Sequence, residues 1–482
     1  MEKFLRKWFL CILAVILPLY LPAVPAGAEE SAGEARPVEV LNEGEARPVD
    51  VFIVLDNSYG MKVADPDKAA VDCCDAFYEY SPAGRSAVGF LTFTGEVEQK
   101  GKLLKDIGTE IKEPWTGWYT QTGDNENIDI VSALNAAADA LITEGTNPNK
   151  AIILITDNYN TSGEAYEPVE YDGKPIPVYC IYMEPQDDSY PLVVRTREDA
   201  KAYLQKIAED TGTEDYYAEP ASAGELDVCL HSIANEIYNT ESERMDLLIK
   251  ELDPFDQTFE VPAGTAELNC NVPHDPSELF TLLIKDPYGN VIYDNGEHSS
   301  PLVTFVDTPS NACVKIRLPV TGAYTFTMSS DKEQEITLTT VTVPATLDLQ
   351  LDNDTVGLGT SVEVTLKAPE GSGASILQSE VHLVDAMGNT VFAGDEFGIT
   401  PNGKDSYSIN TELMEQGTYG VVATADTDDG LSRESARVQL VIGEKQKSTR
   451  TPIVGGLIGA VVIVLVVLFV LYGVSPRNYR HR

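Results

Sequence analysis

From residue 49 to about 239, apolar runs of strand length alternate with stretches of helical period. The strand candidates are VDVFIVLD ending at Asp56, SAVGFLTFTG from Ser86, AIILITD ending at Asp157, IPVYCIYM from Ile176 and DYYAEP from Asp215. Helical candidates lie between them, around 68–78, 128–143, 197–211 and 223–238. This alternation predicts an α/β domain with a doubly wound, mostly parallel sheet, Rossmann-like in layout. The unbroken runs VFIVL and AIILI suit strands buried on both faces. Such sheets bind ligands beyond the carboxyl ends of their central strands, where Asp56 and Asp157 each end a run.

After residue 239 the helical period fades, and short alternating runs separated by turn residues continue to about 442. LLIKDPYGNVIYDN, with Asp286, Gly289 and Asn290, has a counterpart in VHLVDAMGNTVFAG, with Asp385, Gly388 and Asn389. Both predict a hairpin whose tight turn needs the glycine. Downstream, Gly322–Tyr324 and Gly417–Tyr419 each open a further strand in a GxY. The hairpin repeat is about the 100-residue length of an immunoglobulin-type sandwich, and the GxY has the form of its tyrosine corner. Two all-β immunoglobulin-like sandwiches are therefore expected, over 241–345 and 346–444, after an α/β domain over 49–240.

The chain ends add an address. Lys3, Arg6 and Lys7 precede an apolar run that closes on the small residues Ala26, Gly27 and Ala28, the form of a secretory signal over 1–28. Residues 29–48, with GEARPVEV followed by GEARPVDV, form a spacer. Residues 453–474 carry no charge and are long enough for a transmembrane helix. A juxtamembrane linker, 445–452, precedes that helix, and a cytoplasmic tail, 475–482, follows it. The expectation is a single-pass type I protein of the plasma membrane with its N-terminal part extracellular. Gly455 and Gly459 give the span a GxxxG spacing that suits weak helix–helix dimerisation.

Composition narrows the partners. With 34 basic and 76 acidic residues, the net charge of −42 argues against nucleic acid, whose phosphates need a basic face. Six cysteines outside the signal, Cys73, Cys74, Cys180, Cys229, Cys270 and Cys313, form no metal-binding spacing and leave disulfides and buried thiols both open. His231, His274, His298, His382 and His481 build no HExxH, and neither GxSxG after a strand nor GxxxxGK is present. No enzyme is expected.

The α/β domain resembles the von Willebrand factor type A (VWA) family over about 190 residues. VLDNSYGM supplies Asp56 and Ser58 of that family's DxSxS sequence but has Gly60 at the second Ser, and IILITDN supplies Asp157. LQKIAEDTG and AGELDVCLHSIANEI fit the family's closing strand and helix. Setting IDIVSALNAA on the family's TDIGAALxAA puts Ile128 where a Thr belongs, which would bring an apolar side chain to the rim. The resemblance implies a degenerate metal-ion-dependent adhesion site of Asp56, Ser58 and Asp157. The cation would be Mg²⁺ or Ca²⁺, for which oxygen ligands are right, and Asn125, Asn127 or Asp129 would stand in through a shifted loop. It implies adhesion or protein–protein binding through the loops above Asp56 and Asp157. An accessory or assembly subunit of a membrane complex is the alternative. A carbohydrate-binding wall protein comes third, since Trp8, Trp115 and Trp118 leave the sandwiches without tryptophan to stack on sugar.

Overall fold

The computed structural model describes residues 46–105, 107, 115–123, 127–185, 191–369 and 372–444, without the side chains of 191–196. The expected signal, most of the expected spacer, the expected linker, the apolar span with its GxxxG and the expected tail lie outside the described residues. Among the described residues no helix is long and apolar enough to cross a membrane.

The first domain is built on a five-stranded sheet. Its strands are β1 (Val49–Asp56), β2 (Ser86–Phe93), β3 (Val97–Lys100), β4 (Asn149–Thr156) and β5 (Val178–Tyr182). Their order is β3-β2-β1-β4-β5, parallel except for the edge strand β3. β1 lies between β2 and β4 with Ile53 opposite both Phe90 and Ile153, which is why its apolar run has no polar break. Five helices accompany the sheet: α1 (Tyr59–Ala64), α2 (Ala69–Tyr80), α3 (Ile130–Thr143), α4 (Pro191–Thr211) and α5 (Ala223–Tyr238). α1, α2 and α5 share a core with Ile53 and Leu55 on one face of β1; α3 and α4 share a core with Phe52 and Val54 on the other. Capping sets the helix starts: Asp129 accepts the Ser132 N–H at 2.9 Å, and Ser222 accepts the Glu225 N–H at 3.2 Å. The strand expected at DYYAEP is absent. Glu214–Tyr216 form a 3₁₀ turn, and the segment meets β5 only at the bridge from Ile181 to Ala218.

Two β-sandwiches follow. In the first, one sheet runs Val303–Thr308, Asn311–Arg317, Thr265–Pro273, Gln334–Pro344, Ser242–Ile249; the facing sheet runs Glu297–His298, Val291–Asp294, Phe280–Lys285, Gly322–Ser330, Phe255–Val261. Leu268, Val314, Ile284 and Phe326 from both sheets meet in one core. The second sandwich is built alike, with Val364, Ile409, Leu383 and Val421 inside. Asp286 and Asp385 organise the repeated hairpin turns: each takes the N–H groups two and four residues on, and Gly289 and Gly388 sit at φ 83° and 87°.

The tyrosine of each GxY reaches backbone four residues upstream. Tyr324 accepts the Val320 N–H at 2.9 Å, while Tyr419 donates to the Glu415 carbonyl at 3.2 Å. Tyr324 is buried, so Tyr324→Phe should cost about 1 kcal/mol in a urea titration. The same change at the less buried Tyr419 should cost less.

The first domain and the first sandwich are joined by a polar seam. Lys315, fully buried, donates to the Ser81 carbonyl at 2.6 Å and lies 3.8 Å from Glu267, whose other oxygen accepts the Ala83 N–H. Asp227 on α5 accepts from Asn271 at 2.6 Å and sits 3.3 Å from the His231 ring, itself stacked on Tyr80. Ser310 donates to Asp72, and Thr304 to Glu79. Between the sandwiches, Arg317 donates through Nη2 to both carboxylate oxygens of Glu434, at 2.9 and 3.0 Å, and Leu318 packs on Val384 and Val422. Among the described residues no disulfide joins the six cysteines.

Candidate functional site

Parallel pairing of β1 with β4 sets their last residues side by side, which brings Asp56 and Asp157 together at the carboxyl end of the sheet. Asp56 accepts the Ser58 N–H at 2.8 Å with Oδ1 and the Thr156 hydroxyl at 2.6 Å with Oδ2. Ser58 Oγ and Asp157 Oδ1 are buried with no hydrogen-bond partner, although the Ser58 hydroxyl lies near enough to both carboxyls to favour their charged forms. The three side chains are 0, 0 and 4 % exposed, so the pair lies just under the rim rather than open upon it.

Burial dominates the electrostatics. It pushes the Asp56 carboxyl from 3.8 to about 6 against the opposing pull of Thr156 and Ser58, with Glu98 adding repulsion. Asp157 is pushed well above the usual carboxylate range, first by burial and then by the charge of Asp56. Two buried acids that repel each other, one with an orphaned oxygen, are stabilised by a proton or by a cation.

Gly60 has a positive reason for being glycine. A Cβ built there would fall 2.8 Å from the Asp157 carboxyl carbon and closer still to its Oδ2, so the carboxylate occupies the space that a side chain at this position would fill. Gly60→Ser, which would restore the second Ser of the motif, should therefore displace Asp157 and cost about 1–3 kcal/mol of stability in thermal unfolding.

Ile128 is not at the rim. It is fully buried in the core shared with α3, and its backbone is tied to Thr161 on both sides. Asp129 is occupied as the cap of α3, Asn127 is exposed beside Gly95, and Asn125 lies outside the described residues. The loop that lies against Ser58 comes earlier in the chain. Gly123 bridges to Ser58 and exchanges backbone hydrogen bonds with Asn57 and Tyr59. Asn57 holds it in place, accepting the N–H groups of Thr120 and Gln121 at 2.8 and 2.7 Å and donating to Thr120 Oγ1 and Glu98. The hydroxyl-bearing residues of that loop are Thr120 and Thr122, 2.9 Å apart and both exposed, while the hydroxyl on the pair itself is that of Thr156. TQTG at the head of the oxygen-rich run was the available signal.

Among the described residues no group of three or more His, Cys, Asp and Glu gathers that could hold a metal ion. The donor set is instead two carboxylates and the Ser58 hydroxyl, all hard oxygens, two of them lacking partners. That chemistry fits Mg²⁺ or Ca²⁺ with water in the remaining positions.

No protein-family model and no curated protein sequence matches the chain. Among solved structures it is similar to a von Willebrand factor type A protein from Catenulispora acidiphila, at 13% identity over 67% of this chain and 63% of that chain, TM-score 0.28. The chain thus spans less than two thirds of that protein. It is also similar to the pilus adhesin SpaC from Lactobacillus rhamnosus GG in its open conformation, at 11% identity over 82% of this chain and 68% of that chain, TM-score 0.31. A third likeness is to the vWF domain of the type V pili tip protein Mfa5 from Porphyromonas gingivalis, at 14% identity over 40% of this chain and 95% of that chain, TM-score 0.26. These likenesses are remote, and the description of a type A-like α/β domain rests on the chain's own sheet order and helix layers.

Proposed function

We propose that the chain is a non-enzymatic, membrane-anchored surface protein that binds another protein at the carboxyl end of its type A-like sheet. In this reading Asp56, Ser58 and Asp157 hold Mg²⁺ or Ca²⁺. A bound ion would supply an electrophilic position for a carboxylate of the partner. Asp56 and Asp157 would neutralise part of its charge, Asn57 fixes the loop of Thr120 and Thr122, which meets Ser58 at Gly123, and Gly60 leaves room for the Asp157 carboxylate. The observation that carries this is the pair of orphaned buried oxygens, Ser58 Oγ and Asp157 Oδ1, facing a second carboxylate. The apolar span and the signal-like start support anchoring with this face outside.

Cells displaying the protein should adhere to immobilised matrix proteins or to other cells in Mg²⁺, and lose adhesion in EDTA or with Asp157→Asn. Adhesion indifferent to both treatments would remove the carboxylate pair from the account. Stable co-purification with one membrane protein, without adhesion, would favour the complex-subunit reading instead.

A further inference from the structure

A cleft of about 230 Å³ opens between the first domain and the first sandwich, at the other end of α1 from Ser58. α1 connects the two places: Ser58 precedes its first residue, and its last, Ala64, lines the cleft. On the other side Met183, whose N–H donates to the Thr156 carbonyl at 3.0 Å, lies one strand away from Asp157. Three prolines from three separate loops complete the wall: Pro66, Pro220 and Pro276. Pro276 belongs to the first sandwich. Its loop is held towards the first domain because Ser310, which accepts the His274 N–H through its carbonyl, donates its hydroxyl to Asp72.

The wall chemistry is one-sided. Proline presents carbon and no backbone N–H, so much of the lining offers apolar contact without donors. Asp65 and Asp67 supply the only charges of the lining, with no Lys or Arg among its residues. Asp65 is already fixed by the Ala69 and Ala70 N–H groups and the Tyr119 hydroxyl, whereas Asp67 is exposed. A ligand for this place needs a dehydrated aliphatic group and a cation beside it.

We infer that this cleft receives an extended segment of a partner protein that presents an aliphatic side chain next to Lys or Arg. The first sandwich is then part of the binding face, not only a spacer under it. This rests on the proposal that partners dock at this end of the sheet, but it concerns different residues from the carboxylate pair, so the two can fail separately.

The test uses the purified full chain and the probe acetyl-Lys-Leu-Lys-amide, followed by saturation-transfer NMR. The leucine methyls of this peptide should receive saturation, and those of acetyl-Glu-Leu-Glu-amide should not. Pro276→Arg and Asp67→Lys alter exposed loop positions without touching the core, and each should reduce the effect about fivefold by offsetting the negative charge of the lining. Asp157→Asn should leave it intact while abolishing cation uptake, which separates the cleft from the metal reading. Equal saturation of the two peptides, or a signal unchanged in both cleft variants, would overturn the inference.

Discussion

The metal-free protein is expected to lose stability as the pH rises from about 4 through about 6, and Mg²⁺ or Ca²⁺ is expected to restore it at neutral pH. The sign follows from the direction of the shift. Burial raises the Asp56 carboxyl from 3.8 to about 6, so the folded chain holds a proton that the unfolded chain has already released. Stability is complete below the lower value and declines until the folded group has ionised. A two-unit shift corresponds to roughly 3 kcal/mol, and Asp157, shifted in the same direction, adds to it. Asp157→Asn removes one of the facing charges. Its metal-free form should melt higher than the parent at pH 7, show a flatter pH profile, and gain nothing from added cation. Differential scanning calorimetry at pH 5 and 7, with and without Mg²⁺, reads all three. A parent protein with no pH dependence in this window and no response to either ion would exclude the carboxylate pair as a cation site.

Lys315→Met should destabilise the protein by about 3–5 kcal/mol, although Lys315 belongs to the sandwich and touches no ligand. It is fully buried, and removing its ammonium leaves Glu267, 3 % exposed, without its counter-charge and the Ser81 carbonyl without its donor. Burial already raises the Glu267 carboxyl, and Lys315 is the chief opposing influence. Adding Glu267→Gln to the variant should recover much of the loss, because the uncompensated charge disappears with it. Because the seam is shared, urea unfolding followed by Trp115 and Trp118 fluorescence should report the damage even though both tryptophans lie in the first domain. If the two domains were merely tethered, the tryptophan transition would not move.

The parallel sheet was legible because β1 and β4 are apolar without interruption, and a run of that kind has few other places to go. Asp56 and Asp157 were legible for the same reason, each being the first charge after such a run. The third side of the site was not. Alignment of IDIVSALNAA onto a motif fixes where α3 starts, but not the path of the polar loop before it. Here the chain passes Ser58 several residues earlier, at Gly123, before burying Ile128. The polar seam was hidden for a different reason. In the strand Thr265–Pro273, Glu267, Asn269 and Asn271 alternate with Leu268, Cys270 and Val272, a pattern that reads as one dry face and one wet face. The polar face is instead covered by α2 and α5, and every residue of the strand is buried. Period reports which side faces the sheet's own core, and it is silent about a second domain laid over the other.

The buried thiols have a consequence for how the chain matures. Burial pushes the thiols of Cys73, Cys180, Cys270 and Cys313 well up, so at neutral pH almost none is present as the reactive thiolate. In an oxidising medium these four thiols would need neither an oxidase to pair them nor a reductant to preserve them, provided folding outpaces oxidation. Their window of chemical vulnerability closes as the cores around them form, whereas Cys229, only half-buried, keeps its own open.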